Sequence, residues 1–269
     1  MNHGGHHGWR YLTIATIAFF LFAGAWYFIK PIQQSKQLES QLVEQYGWAP
    51  LYTAPADGII EADRVERFIR VREAVQANCT TFQKIMDDVI GLEKLESDPD
   101  ISAGEKTSRG FETVVSMLSA APSFLEFMDA RNSALLAEEM GLGEYIYIYL
   151  AAYGEQLARE AEGPYASQEE AYLSPRARKE YVQMLGNQLT ALREGNRDQD
   201  AAVMNLEADL VAEMAALEDD PDHSPWPLGP PAVTRASLAP YSDQISALYC
   251  MGMVRIEVLQ KNKGFNFEG

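Results

Sequence analysis

Histidine and cysteine are scarce in this chain, and the scarcity is informative. There are 4 histidines and 2 cysteines in 269 residues. Three of the histidines, His3, His6 and His7, sit in a polar tail, so only His223 remains for the rest of the chain. A serine or cysteine nucleophile needs an imidazole beside it. His223 lies in the acidic stretch Asp219-Asp220-Pro221-Asp222-His223, and no serine sits in a G-x-S-x-G turn. No H-E-x-x-H or E-x-x-H run offers zinc or di-iron ligands, and the glycine patterns of phosphate-binding loops are missing. The sequence therefore carries no catalytic, cofactor or metal signature. A hydrolase built around Glu144, Tyr145 and His223 is the weakest of the readings retained. The nearest metal pattern, Asp98-Pro99-Asp100-Ile101-Ser102, opens like a calcium loop. However, Gly104 comes one place late and Arg109 stands where a bidentate glutamate is required. The histidine tail has imidazoles suited to nickel or copper, but it reads more simply as a short polar tail.

Basic residues are also few. Arg10 and Lys30 are the only charged residues among the first 30, which leaves 39 acidic side chains against 20 basic ones in the remainder. Such a surface repels phosphate backbones and anionic headgroups, so nucleic acid is excluded as a main partner, while basic proteins and cations are compatible.

Charge is wholly missing from residues 11–29, YLTIATIAFFLFAGAWYFI. As a helix this run spans about 28 Å, near the roughly 30 Å of a bilayer's hydrocarbon core. Trp9, Tyr11, Trp26 and Tyr27 mark its two ends, where amphipathic rings favour the interface. Ala23-Gly24-Ala25 also fits a signal-peptide cleavage site, but the apolar run continues past it without a polar stretch, which favours an uncleaved anchor. The short tail places the N-terminus in the cytoplasm and the remainder outside, periplasmic in a bacterium with two membranes.

The expected organisation is a tail at 1–10, a transmembrane helix at 11–29, a juxtamembrane helix and linker at 30–60, and an acidic helical domain at 61–269. The fold class is all-α, an N-terminal transmembrane helix followed by an irregular multi-helix bundle. A long helix is predicted over 62–96, with Phe68, Val75, Phe82 and Val89 recurring every seven residues beside Val71, Asn78, Ile85 and Leu92. It is either a core helix of the bundle or one strand of a coiled coil. Further helices are expected over 109–121, 123–140 with Gly141 as its cap, 144–162, 174–194, 198–218 and 240–260. Residues 219–236, with prolines at 221, 225, 227, 230 and 231, form a strap or lid that Trp226 pins.

Two features suggest function. Tyr145, Tyr149 and Tyr153 share one helix face at i, i+4 spacing, and with Trp226 they make either core or an interaction face. Cys79 and Cys250, in an exported domain, permit one disulfide.

Arg64-Val65-Glu66-Arg67-Phe68-Ile69-Arg70-Val71-Arg72 and Met140-Gly141-Leu142-Gly143-Glu144-Tyr145-Ile146-Tyr147-Ile148 resemble segments of bacterial membrane-anchored or lipoprotein-like helical envelope proteins. This chain has no cysteine before residue 79 to carry a lipid. The resemblance implies an envelope location and a helical fold, and no activity. The leading expectation is a non-enzymatic interaction or scaffold module that meets other envelope proteins, without a cofactor. The alternative is a helical domain binding a small ligand or a cation.

Overall fold

The computed structural model describes residues 33–96, 123–161, 173–195, 201–251 and 253–258; the side chains of 80, 82–96, 202 and 255 lie outside that description. The anchor expected at 11–29, the calcium-like pattern at 98–109 and the helix expected at 109–121 also fall outside it. Among the described residues the secondary structure is helical, without strands, and no helix is long and apolar enough to cross a membrane.

Helix α1 covers 33–46 and α2 covers Ala62–Glu96. On α2 the buried stripe is Phe68, Val71, Arg72, Val75 and Cys79, while Asn78 is only half-buried. That spacing follows the 3.6-residue period of a straight helix lying on a core. Over these turns the chain's own helices cover the stripe, and the first half of the seam belongs to the bundle.

Helix α3, described over 123–137, ends three residues earlier than its expected limit. Glu139, at φ 50°, takes the left-handed position, with Met140 N donating to Leu135 O and Glu139 N to Leu136 O. These two bonds make a Schellman closure. Gly141, the expected cap, serves another end: a Cβ there would lie 2.9 Å from Tyr46 Cβ, so its bareness lets α1 approach.

Helix α4, Leu142–Ala161, is the central element and is buried nearly all round. This explains why its first half alternates like a strand: every side meets protein, so tyrosine and isoleucine suit each position. Helices α5, Pro175–Gly195, and α6, Ala201–Asp219, pack against each other. Ser174 Oγ accepts the amide of Ala177, the cap that Ser174-Pro175 predicts. The Pro-rich stretch is shorter than expected. After Pro231 the next proline is Pro240, and between them α7 occupies Ala232–Leu238. The expected 240–260 helix is broken into a 3-10 turn at Ala239–Tyr241, α8 at Ser242–Ala247 and α9 at Val254–Glu257. Its apolar residues divide between two clusters: Ile245, Val254 and Val258 join the main core, whereas Cys250 and Met253 join a second cluster with Val75, Cys79, Phe127 and Met128.

Cys79 and Cys250 are joined by a disulfide, with Cα atoms 5.7 Å apart and a sequence separation of 171. It fastens α2 to the turn before α9. On a loop-entropy basis a closure of this length contributes about 5 kcal/mol. Replacing both residues by serine should lower the unfolding free energy by roughly 2–5 kcal/mol. Denaturation in the absence of reductant measures it. An unchanged midpoint, or two freely labelled thiols in unfolded wild-type protein, would refute the bridge.

Candidate functional site

Among the described residues, two polar constellations lie inside the molecule and an amphipathic groove lies at the surface.

The first constellation sits beneath α9. Arg72 and Glu257 form an ion pair with both side chains fully buried. Arg72 also donates to Tyr145 Oη at 3.0 Å and to Leu248 O at 2.7 Å, and the Tyr145 hydroxyl donates to Glu257 Oε2 at 2.6 Å. Arg131, also buried, donates to the carbonyls of Ile256 and Glu257. The Arg72 guanidinium lies 5.3 Å from the Tyr149 ring centre and 5.5 Å from that of Tyr153. Burial disfavours the Arg72 charge, but Glu257 and then the tyrosines outweigh it, and its pKa is raised well above the ordinary value. Burial lowers that of Arg131, with partial relief from Glu257. Burial pushes Tyr145 and Tyr149 well above the usual tyrosine range and Tyr153 to about 12. These phenols stay neutral, and none is available as a base.

The second constellation pins the Pro-rich strap. Glu213 on α6 accepts the Trp226 amide at 2.9 Å and lies 3.2 Å from His223 Nε2. Trp226 Nε1 donates to Tyr181 Oη. Arg178 donates to the carbonyls of Leu217, Asp220 and Pro221. A Cβ on Gly154 would lie 2.5 Å from Pro225 O, so α4 and the strap touch through a position only glycine can fill. Trp226 itself adopts φ 50°, held there by these bonds.

The groove, about 640 Å³, opens between the 52–64 segment, the start of α4 and the end of α5. Tyr52, Ile60 and Leu192 contribute apolar surface, and Asp57, Glu61 and Glu144 contribute carboxylates. Arg64 Nε donates to Glu144 Oε1 at 2.6 Å, and Nη2 bonds the other oxygen, so the two groups are matched in a fork. That bond raises the Arg64 pKa, with burial acting against it. The Tyr52 hydroxyl is raised by burial and then by Glu144. The wall lies within the 30–60 stretch expected as a juxtamembrane helix and linker, and it is fastened to the bundle. Asn187 Nδ2 donates to Pro50 O and Tyr52 O, Gln188 Nε2 to Pro55 O, and Thr234 Oγ1 to Gly58 O. Gly143 lets this wall close on α4, since a Cβ there would meet Ala49 O at 2.5 Å.

The sequence-derived candidates fall as follows. Cys79 and Cys250 meet. Tyr145, Tyr149 and Tyr153 are fully buried and Trp226 is 6% exposed, so they form core and strap, and the proposed interaction face is not presented to solvent. Glu144, Tyr145 and His223 occupy three separate settings: the groove, the buried ion pair and the strap. Among the described residues no group of His, Cys, Asp and Glu is arranged to hold a metal ion. Sequence reasoning missed Arg72, Arg131, Glu257, Glu213 and the groove. For Arg72 a signal existed, a charge in line with Phe68, Val75 and Cys79. The groove joins residues more than a hundred positions apart and left no local trace.

Arg72→Met leaves Glu257 buried without its cation and should cost about 3 kcal/mol. The double variant Arg72→Met/Glu257→Leu should recover most of that loss, since neither charge is then buried alone. Denaturant titration of the three proteins decides it; additive losses would show the pair is not coupled. Burial raises the Glu213 carboxyl, and the Trp226 amide and His223 offset only part of the shift. A raised carboxyl contributes stability below the unfolded value and loses it as pH rises through the folded one. Glu213→Gln should therefore raise the melting temperature at about pH 8, and the gain should vanish near pH 4. A gain that grows on acidification would reverse the assignment.

Compared with known proteins, the chain matches no protein family, no curated protein and no solved structure.

Proposed function

We propose that this chain is a membrane-anchored, non-enzymatic interaction module whose helical domain faces an extracytoplasmic compartment and meets a partner through the groove beside Arg64 and Glu144. One observation carries the reading. The two buried polar constellations hold elements of the fold together, whereas the groove is a preformed amphipathic concavity whose titratable groups include no nucleophile paired with a base. Such a surface suits binding rather than turnover. The uncharged run at 11–29 supplies the anchor, and a disulfide suits an oxidising compartment. The acid excess and the resemblance to helical envelope proteins agree with that placement. The small-ligand reading uses the same groove and is set apart by the experiments below.

With a photo-crosslinking residue at Ile59, half-exposed on the groove, the full-length protein should give a discrete adduct in cells. The same residue at Lys179, exposed at the other end of α5, should give none. A reporter active only outside the cytoplasm, fused after Gly269, should be active and sediment with membranes. Equal adducts from both positions, or an intact full-length chain in the soluble fraction without detergent, would overturn the reading.

A further inference from the structure

We infer that the groove's partner is a protein segment presenting a lysine or arginine beside an apolar side chain. This rests on the interaction-module reading and names the chemistry that the same groove selects.

The charge around the groove is unbalanced. Asp57, Glu61 and Glu144 face one guanidinium, that of Arg64, and Arg64 is already matched to Glu144. Among the described residues no basic side chain pairs with Asp57 or Glu61, and Asp57 Oδ1 accepts only the amide of Ile59. The last turn of α5, Leu192 to Gly195, also opens on the groove. A helix C-terminus carries unpaired carbonyls and partial negative charge. The basic residue of that turn, Arg193, is drawn to Glu207 on α6 at 2.8 Å and does not neutralise the groove. The potential inside therefore favours a cation.

Shape and polarity favour a polypeptide over a bare cation. Ile59, 51% exposed, stands on the rim between Asp57 and Glu61, and Pro55 and Tyr52 extend the apolar surface. A volume of about 640 Å³ admits a few side chains. The wall is fastened by Asn187, Gln188 and Thr234, so little ordering is required on binding. Metal ions are a poorer fit, because the carboxylates do not converge into a ligand cluster.

The test uses the full-length protein in zwitterionic nanodiscs and a fluorescently labelled twelve-residue peptide in which lysine alternates with serine around a central leucine. Anisotropy should rise with this peptide and stay flat with its glutamate counterpart. Raising salt from about 50 to 500 mM should weaken binding several-fold. Asp57→Asn/Glu61→Gln should weaken it roughly three- to tenfold, and Ile59→Ser should weaken it as well. The control Asp209→Asn/Glu218→Gln, on the exposed face of α6, should leave it unchanged. Equal weakening by the control would mean adsorption to overall negative charge and overturn the inference. Spermine binding as tightly as the peptide, with Ile59→Ser without effect, would make the occupant a small polycation and overturn it too. No peptide binding while the adduct at position 59 persists would remove the basic partner and leave the module. Loss of the adduct itself would remove both.

Discussion

The buried pair of Arg72 and Glu257 is the constraint from which the rest of the core follows. Two charges out of water are tolerable only when their remaining donors and acceptors are largely matched, and here all but Arg72 Nε of the guanidinium's nitrogens find a partner. Tyr145 does much of that matching, accepting from Arg72 and donating to Glu257. The guanidinium also needs faces to lie against, and Tyr149 and Tyr153 supply them. The tyrosine row on α4 is thus the lining of a charge. The Tyr153 hydroxyl, bonded to Ile245 O, and the ring of Tyr249, 5.0 Å from that of Tyr153, extend the lining toward α8. Helix α9 has only four residues and is too short to persist on its own. The ion pair, the two carbonyl bonds from Arg131 and the disulfide hold it in place.

Around this centre α4 divides the molecule's tasks between its faces. The tyrosine face seals the ion pair. The face carrying Gly143 and Gly154 admits backbone at van der Waals distance, the groove wall at one end and the Pro-rich strap at the other. A single rigid helix therefore sets the position of both the candidate binding surface and the strap. The groove inherits its shape from a helix that is itself immobilised by the core.

Much of the architecture was legible from residue patterns. The limits of α2, the start of α5 at Ser174-Pro175 and the helical character of α4 follow from caps and periodicity. The end of α3 was misplaced because Gly141 looked like the natural left-handed residue, while Arg64 and Arg67 hold the Glu139 and Glu138 carbonyls and make a glutamate acceptable there. The broken C-terminal helix was hidden because the break follows from tertiary packing, with Ile245 and Val258 in one core cluster and Cys250 and Met253 in the other. The tyrosine stripe was visible, but its buried cation was not, because nothing local in Arg72 reveals a carboxylate 185 residues away. The groove was illegible for the same reason: its carboxylates come from segments that meet only in the folded state.

The contacts that close the molecule span 171 residues through sulfur and 185 through charge. Contacts this distant form late, after the chain has met the entropy of a very large loop. A copy interrupted before Cys250 would have its first helices but would lack the segment that pairs with Arg72 and Arg131, leaving the Arg72 guanidinium on its tyrosine floor open to water. Such a stump cannot reach a closed core by itself, and proteases would find it unshielded. The last turns of this domain are thus what closes water away from its buried charges.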